Sequence, residues 1–159
     1  YHFVDEATFE AMVERGEFAE YAKVHGRYYG TSLAEVAIAQ RGDAHDGVLF
    51  DIDFQGARQI RAVFPDAVSI FILPPSFEEL ERRGRGTEDE AATRTRLTNA
   101  SREIAHYGLF DYVVVNDDIS KAHERMRSIV YAERCRRRHH AGRAEALLRA
   151  SGISLVDGT

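Results

Sequence analysis

Three short apolar runs constrain this chain more than any other feature. Gly47-Val48-Leu49-Phe50-Asp51-Ile52-Asp53, Val68-Ser69-Ile70-Phe71-Ile72-Leu73 and Phe110-Asp111-Tyr112-Val113-Val114-Val115-Asn116 are each close to continuously apolar, and segments of helical length separate them. Runs of this kind, without polar alternation, read as strands buried on both faces, the condition of a parallel sheet whose crossovers are helices. The sequence therefore predicts an α/β fold. The first run ends in two acids, which places carboxylates at the carboxyl end of a strand, where open parallel sheets receive their ligands.

The remaining segments fit that frame. Asp5 opens a short helix that Gly16 ends; Glu17 to Val24 reads as a half-buried strand, with His25-Gly26-Arg27 a turn before Tyr28-Tyr29-Gly30 in a small β-rich lobe; and Ser32, with Glu35 three residues on, caps a helix over 33–40. Gly56 to Val63 returns as a helix, and Ser76 caps another through Arg82 after Pro74-Pro75 stops the second run. Gly84-Arg85-Gly86-Thr87 breaks the chain before a longer helix that ends at Ile104. A final helix is predicted from Asp117-Asp118 to about His140, followed by a loosely attached tail over 141–159.

The 159 residues suit a single domain, and no apolar stretch approaches the ~20 residues of a membrane-spanning helix. The first residues do not follow the basic and then apolar pattern of a secretory leader, so a cytoplasmic location is the default. A net charge of −5 argues against a general nucleic-acid binder. Cys135 is the single cysteine, so it forms no internal disulfide and has no second thiol at metal-ligand spacing. Of the 21 basic residues only Lys23 and Lys121 are lysines, so nearly all positive charge is guanidinium, the group that grips phosphate in two-pronged fashion.

Several residues are candidates for chemistry. Asp51 and Asp53 suit a water-mediated Mg²⁺ contact or a hydrogen bond to a nucleotide, since Mg²⁺ retains most of its waters; they equally suit a turn at a strand end. Arg85, Arg94 and Arg96 sit on a glycine-flanked element with the look of a lid that brings positive charge to a transferring phosphoryl group. A solvated arginine helix is the plainer account, and for Arg94 the preferred one. Tyr28, Tyr29, Thr31 and Glu20 gather phenols, a hydroxyl and a carboxylate in one small lobe, and a carboxylate can accept both the ring N–H and the exocyclic amine of guanine. By spacing alone, an aromatic core turn is the preferred account of them. The histidines assemble into no ligand set, and His139-His140 follows a basic run suited to a helix C-terminus.

Taken in order, Tyr-His-Phe-Val, Glu-Phe-Ala-Glu-Tyr-Ala, Tyr-Tyr-Gly-Thr, Leu-Phe-Asp-Ile-Asp-Phe-Gln-Gly, Ile-Leu-Pro-Pro-Ser, Arg-Gly-Thr-Glu and Tyr-Val-Val-Val-Asn-Asp-Asp closely resemble guanylate kinase over roughly residues 1–134. The resemblance implies a P-loop NTPase-like parallel sheet core flanked by helices, with a small β-rich GMP-binding lobe (1–36), core segments (37–75 and 105–140) and a helical lid region (76–104). It implies transfer of the γ-phosphoryl group from ATP to GMP with Mg²⁺, in a monomer or homodimer. By the same resemblance Tyr1, Glu20, Tyr29, Thr31 and Asp53 are GMP-binding residues, with Glu20 reading guanine. Arg85, Arg96 and Asp51 are catalytic, Asp51 also meeting the metal through water, and Asn116 and Arg85 lie at the ATP side.

The family begins with Gly-x-x-Gly-x-Gly-Lys-Ser/Thr and two arginines that clamp the GMP phosphate. Neither Lys23 nor Lys121 follows a glycine run, so these elements are expected upstream of Tyr1. Without them the chain is expected to be inactive and to expose a sheet edge and apolar surface. The alternative is a non-catalytic guanylate-kinase-like module that recognises phosphorylated peptides. Arg85, Arg96 and Asp51 favour the enzyme, because peptide recognition has no need of phosphoryl-transfer groups.

Overall fold

A computed structural model describes residues 2–24, 26–41, 47–84 and 90–152. The Asp5 carboxylate accepts the Thr8 N–H at 2.8 Å and opens α1 (Glu6–Glu14), satisfying one of the donors that a helix start leaves unpaired. Gly16, at φ 67°, turns the chain into the hairpin β1 (Phe18–Val24) and β2 (Arg27–Ser32). Phe9 of α1 stacks on Phe18 and Tyr28, with ring centroids 4.5 and 5.0 Å apart, so α1 covers one face of the hairpin. Glu20 lies opposite Thr31 and Ala22 opposite Tyr29, which puts these four on the other face. The Ser32 hydroxyl accepts the Glu35 N–H at 3.2 Å and starts α2 (Leu33–Arg41), the capping that the sequence predicts.

The run from Val48 to Asp53 corrects an expectation. It joins neither sheet; each described sheet has two strands, β1 with β2 and β3 with β4. Composition supplies strand propensity, but a strand exists only through a ladder with a neighbour. Val48, Phe50 and Ile52 instead pack on the core of Ala19, Val36 and Ile60, which joins β1, α2 and the following helix, α3 (Phe54–Val63). Ile60 is 6% exposed in that core. Ile60→Ala is expected to cost about 3 kcal/mol through lost burial and the cavity it leaves, read as a lower urea midpoint at unchanged slope.

β3 (Ile70–Leu73) and β4 (Tyr112–Val115) pair in parallel, Ile70 opposite Tyr112 and Leu73 opposite Val115. Parallel strands need a long crossover. Here it contains α4 (Phe77–Gly84), α5 (Glu90–Ile104) and a 3₁₀ turn at Tyr107–Leu109. Asp111 clasps the two strand starts together: it accepts the Ser69 N–H and hydroxyl and the Arg61 guanidinium. Burial pushes the Asp111 carboxyl up, but the Ser69 donors and Arg61 outweigh it and hold the group below its ordinary value. Burial on both faces was expected for these strands; Phe71 and Val114 are buried, whereas Ile72, Val113 and Val115 are exposed.

A second correction concerns the final helix. The chain forms α6 (Ile119–Arg134), breaks at Cys135-Arg136, and continues as α7 (Arg137–Ser151), so most of the stretch expected as a loose tail is helical. Arg136 takes φ −58° and ψ 140°, which no helix continues through. The turn brings Arg136 and Arg138 back to Glu133, a buried carboxylate that also accepts the Tyr112 hydroxyl. The tyrosine hydroxyl and then the arginines keep Glu133 below its ordinary pKa. No described helix is long and apolar enough to cross a membrane.

Candidate functional site

Glu20 is 7% exposed, and a buried carboxylate needs partners to remain there. Its Oε1 accepts the Thr31 hydroxyl at 2.7 Å across the hairpin. Its Oε2 faces the first turn of α3, where a Cβ built on Gly56 would stand 3.3 Å away. Each carboxylate oxygen has two lone pairs, so the group can still accept two adjacent N–H donors from a ligand. Tyr29 shares the face and is 47% exposed, with its phenol open to solvent. A groove of about 770 Å³ runs from Thr31 and Tyr29 past Ser32 and Glu35 to His2 and Phe3.

Asp53 opens α3. Its Oδ1 accepts the N–H groups of Gln55 and Gly56, each at 2.9 Å, and its Oδ2 accepts the Gln55 side-chain amide at 3.3 Å. The resemblance implies a nucleotide role for Asp53 and a strand-end turn suits it equally, but neither names this cap, although Asp followed by a helical pattern is an ordinary cap signal. Asp51, two residues earlier on the extended segment, is exposed and takes no hydrogen bond or ion pair among the described residues. An exposed, unengaged carboxylate fits a hydrated Mg²⁺, which takes few protein ligands. No cluster of three or more acidic, histidine or cysteine side chains suited to a metal occurs among the described residues.

Arg96 and Asn116 are tied instead to α4. The Arg96 guanidinium donates to the Leu80 carbonyl at 2.6 Å and lies against Gly84 so closely that a Cβ there would clash with its Nη2. Asn116 follows β4: its N–H donates to the Leu73 carbonyl at 2.8 Å, and its carbonyl accepts Arg83 at 3.0 Å. Arg83 and Arg82 both hold Glu79, at 2.8 and 2.6 Å, and these two guanidinium groups bring the Glu79 carboxyl down to about 2. Between its ordinary value of 4.5 and about 2 the unfolded chain binds this proton more readily than the folded one. The Glu79 contribution is therefore complete above pH 4.5, falls with pH, and disappears below about 2. Thermal melts of Glu79→Gln beside the parent should show a small, salt-sensitive deficit near pH 7 that vanishes across that window.

Tyr1 and Arg85 lie outside the described residues. Of the other predicted residues, Glu20 and Thr31 are brought into contact, and Asp53 reaches the same helix start. Sequence reading missed Gln59, whose side chain binds the backbone of Tyr21, the neighbour of Glu20, at both polar atoms. Nothing local marks it, because the partners are 38 residues apart.

The family described as guanylate kinase matches residues 1–133. The guanylate kinase of Aromatoleum aromaticum is 50% identical over 138 residues, spanning 86% of this chain and 67% of that protein. The guanylate kinase of Chromobacterium violaceum is 47% identical over 156 residues, spanning 97% and 73%. The crystal structure of guanylate kinase from Anaplasma phagocytophilum superimposes with a TM-score of 0.75 at 35% identity, covering 97% of this chain and 76% of that one.

Proposed function

This chain belongs to the guanylate kinase family, and from that premise we propose that it is a nucleoside monophosphate kinase that transfers the γ-phosphoryl group of ATP to GMP. The observation that carries the acceptor's identity is the buried Glu20 carboxylate, held by Thr31 beside the start of α3. Guanine offers an N1–H and a 2-amino group side by side, which such a carboxylate accepts together. Adenine presents an unprotonated N1 at the same position, which would face a buried negative charge.

Tyr29, with Tyr1, donates phenol hydrogen bonds to the GMP phosphate, and Thr31 adds its hydroxyl at the base. Phosphoryl transfer asks the protein for positioning and charge neutralisation rather than covalent help. Arg96 and Arg85 supply charge at the transferring group once the α4–α5 region closes, and Asn116 borders the ATP side. Asp51 would hold Mg²⁺ through water, and the ion would supply charge to offset that on the donor phosphates. Residues 1–159 contain no Gly-x-x-Gly-x-Gly-Lys loop of the kind that holds the donor phosphates. The peptide-binding alternative has nothing in its favour, since the relatives named above are all guanylate kinases.

Calorimetric titration with GMP and AMP tests the acceptor assignment. GMP should bind at least ~100-fold more tightly, the discrimination of a site whose polar groups are left unpaired by the wrong base. Equal affinity for the two would remove Glu20 as the selector.

A further inference from the structure

Glu20 is a buried side chain on a two-stranded lobe, and an acceptor for two adjacent donors works only if its plane and position are fixed. Two residues of α3 act on it. The Gln59 side chain binds the backbone of Tyr21, the residue after Glu20: the Tyr21 N–H donates to Oε1 at 3.1 Å, and Nε2 donates to the Tyr21 carbonyl at 2.9 Å. One glutamine amide thereby completes the edge of β1 that β2 does not use, as a neighbouring strand would. Three residues earlier, on the same helix face, Gly56 leaves the space the carboxylate occupies. A Cβ there would stand 3.3 Å from Glu20 Oε2 and 3.0 Å from Ile52 Cβ, closer than ordinary contact.

We infer that Gln59 and Gly56 are positioning residues for purine selection, Gln59 by fixing the β1 backbone beside Glu20 and Gly56 by leaving its carboxylate room at the start of α3. This rests on the reading of Glu20 as the guanine acceptor. Neither residue touches the nucleotide in this account. They set the distance and angle at which Glu20 meets both donors of the base.

The experiment compares GMP with inosine monophosphate, which keeps the N1–H and lacks the 2-amino group, by titration into the protein and its Gln59→Leu, Gly56→Ala and Glu20→Ala variants, with a thermal melt of each. Glu20→Ala should bring the affinity ratio of the two nucleotides to about one, because the group that senses the amine is gone. Gln59→Leu should lower the ratio about tenfold, as expected when one charge-assisted hydrogen bond is misaligned. A lower melting temperature with the parental ratio retained would overturn the inference, since it would make Gln59 a fastener of the fold and nothing more. Should Gln59→Leu fail to fold, Gly56→Ala decides by the same ratio. If Glu20→Ala itself leaves the ratio unchanged, the reading of Glu20 fails, a result distinct from failure of the two positioning residues alone.

Discussion

Glu20→Ala is expected to lower kcat/KM for GMP about a thousandfold, because it removes the acceptor of two hydrogen bonds to a charged group, each worth roughly 1.5–3 kcal/mol. The loss should fall mainly on KM, since guanine is held equally in the ground and transition states. Glu20→Gln separates charge from shape. Its amide oxygen can still accept one donor, but its NH₂ then faces the other, so activity should stay near that of the alanine variant. Stability is a necessary control, since Thr31 loses its 2.7 Å acceptor in Glu20→Ala. A variant that melts close to the parent and still turns over GMP at the parental KM would remove the guanine assignment.

Arg96→Ala is expected to lower kcat by about a thousandfold with little change in the KM for GMP, the lower end of what a charge-neutralising arginine contributes to phosphoryl transfer. Arg96 also bonds the Leu80 carbonyl and fills the space beside Gly84, so its removal loosens the contact between α4 and α5 as well. The two effects are separable. Assayed well below both melting temperatures, a purely structural role would restore most of kcat, whereas a role at the phosphoryl group would not. Arg96→Lys should remain severely impaired, because a lysine keeps the charge and loses the planar fork.

What the sequence made legible was local. Asp5, Ser32 and Ser76 cap α1, α2 and α4 through the hydrogen bonds their side chains predict, and Gly16 provides the positive φ that ends the first helical segment. The pairing of Glu20 with Thr31 follows from a hairpin whose turn residues are visible in the sequence. What the sequence did not reveal depends on neighbours distant along the chain. Val48 to Asp53 has strand composition and no described ladder, and the break between α6 and α7 contains neither proline nor glycine; it is fixed by arginines returning to Glu133. Gln59 looks like any glutamine on a helix surface until α3 is placed against β1. In the site, the contact between Glu20 and Thr31 follows from the hairpin register, while their role toward a base is what the resemblance implies. The capping role of Asp53 and the contact of Arg96 with Leu80 emerge only from the packing.

The most direct test is the release of ADP from ATP and Mg²⁺ by the protein as the cell makes it, followed in a coupled assay as GMP or AMP is added. GMP-dependent release, at least ~100-fold more efficient than with AMP, is the predicted result. GMP that binds to the protein without any release of ADP would contradict the account.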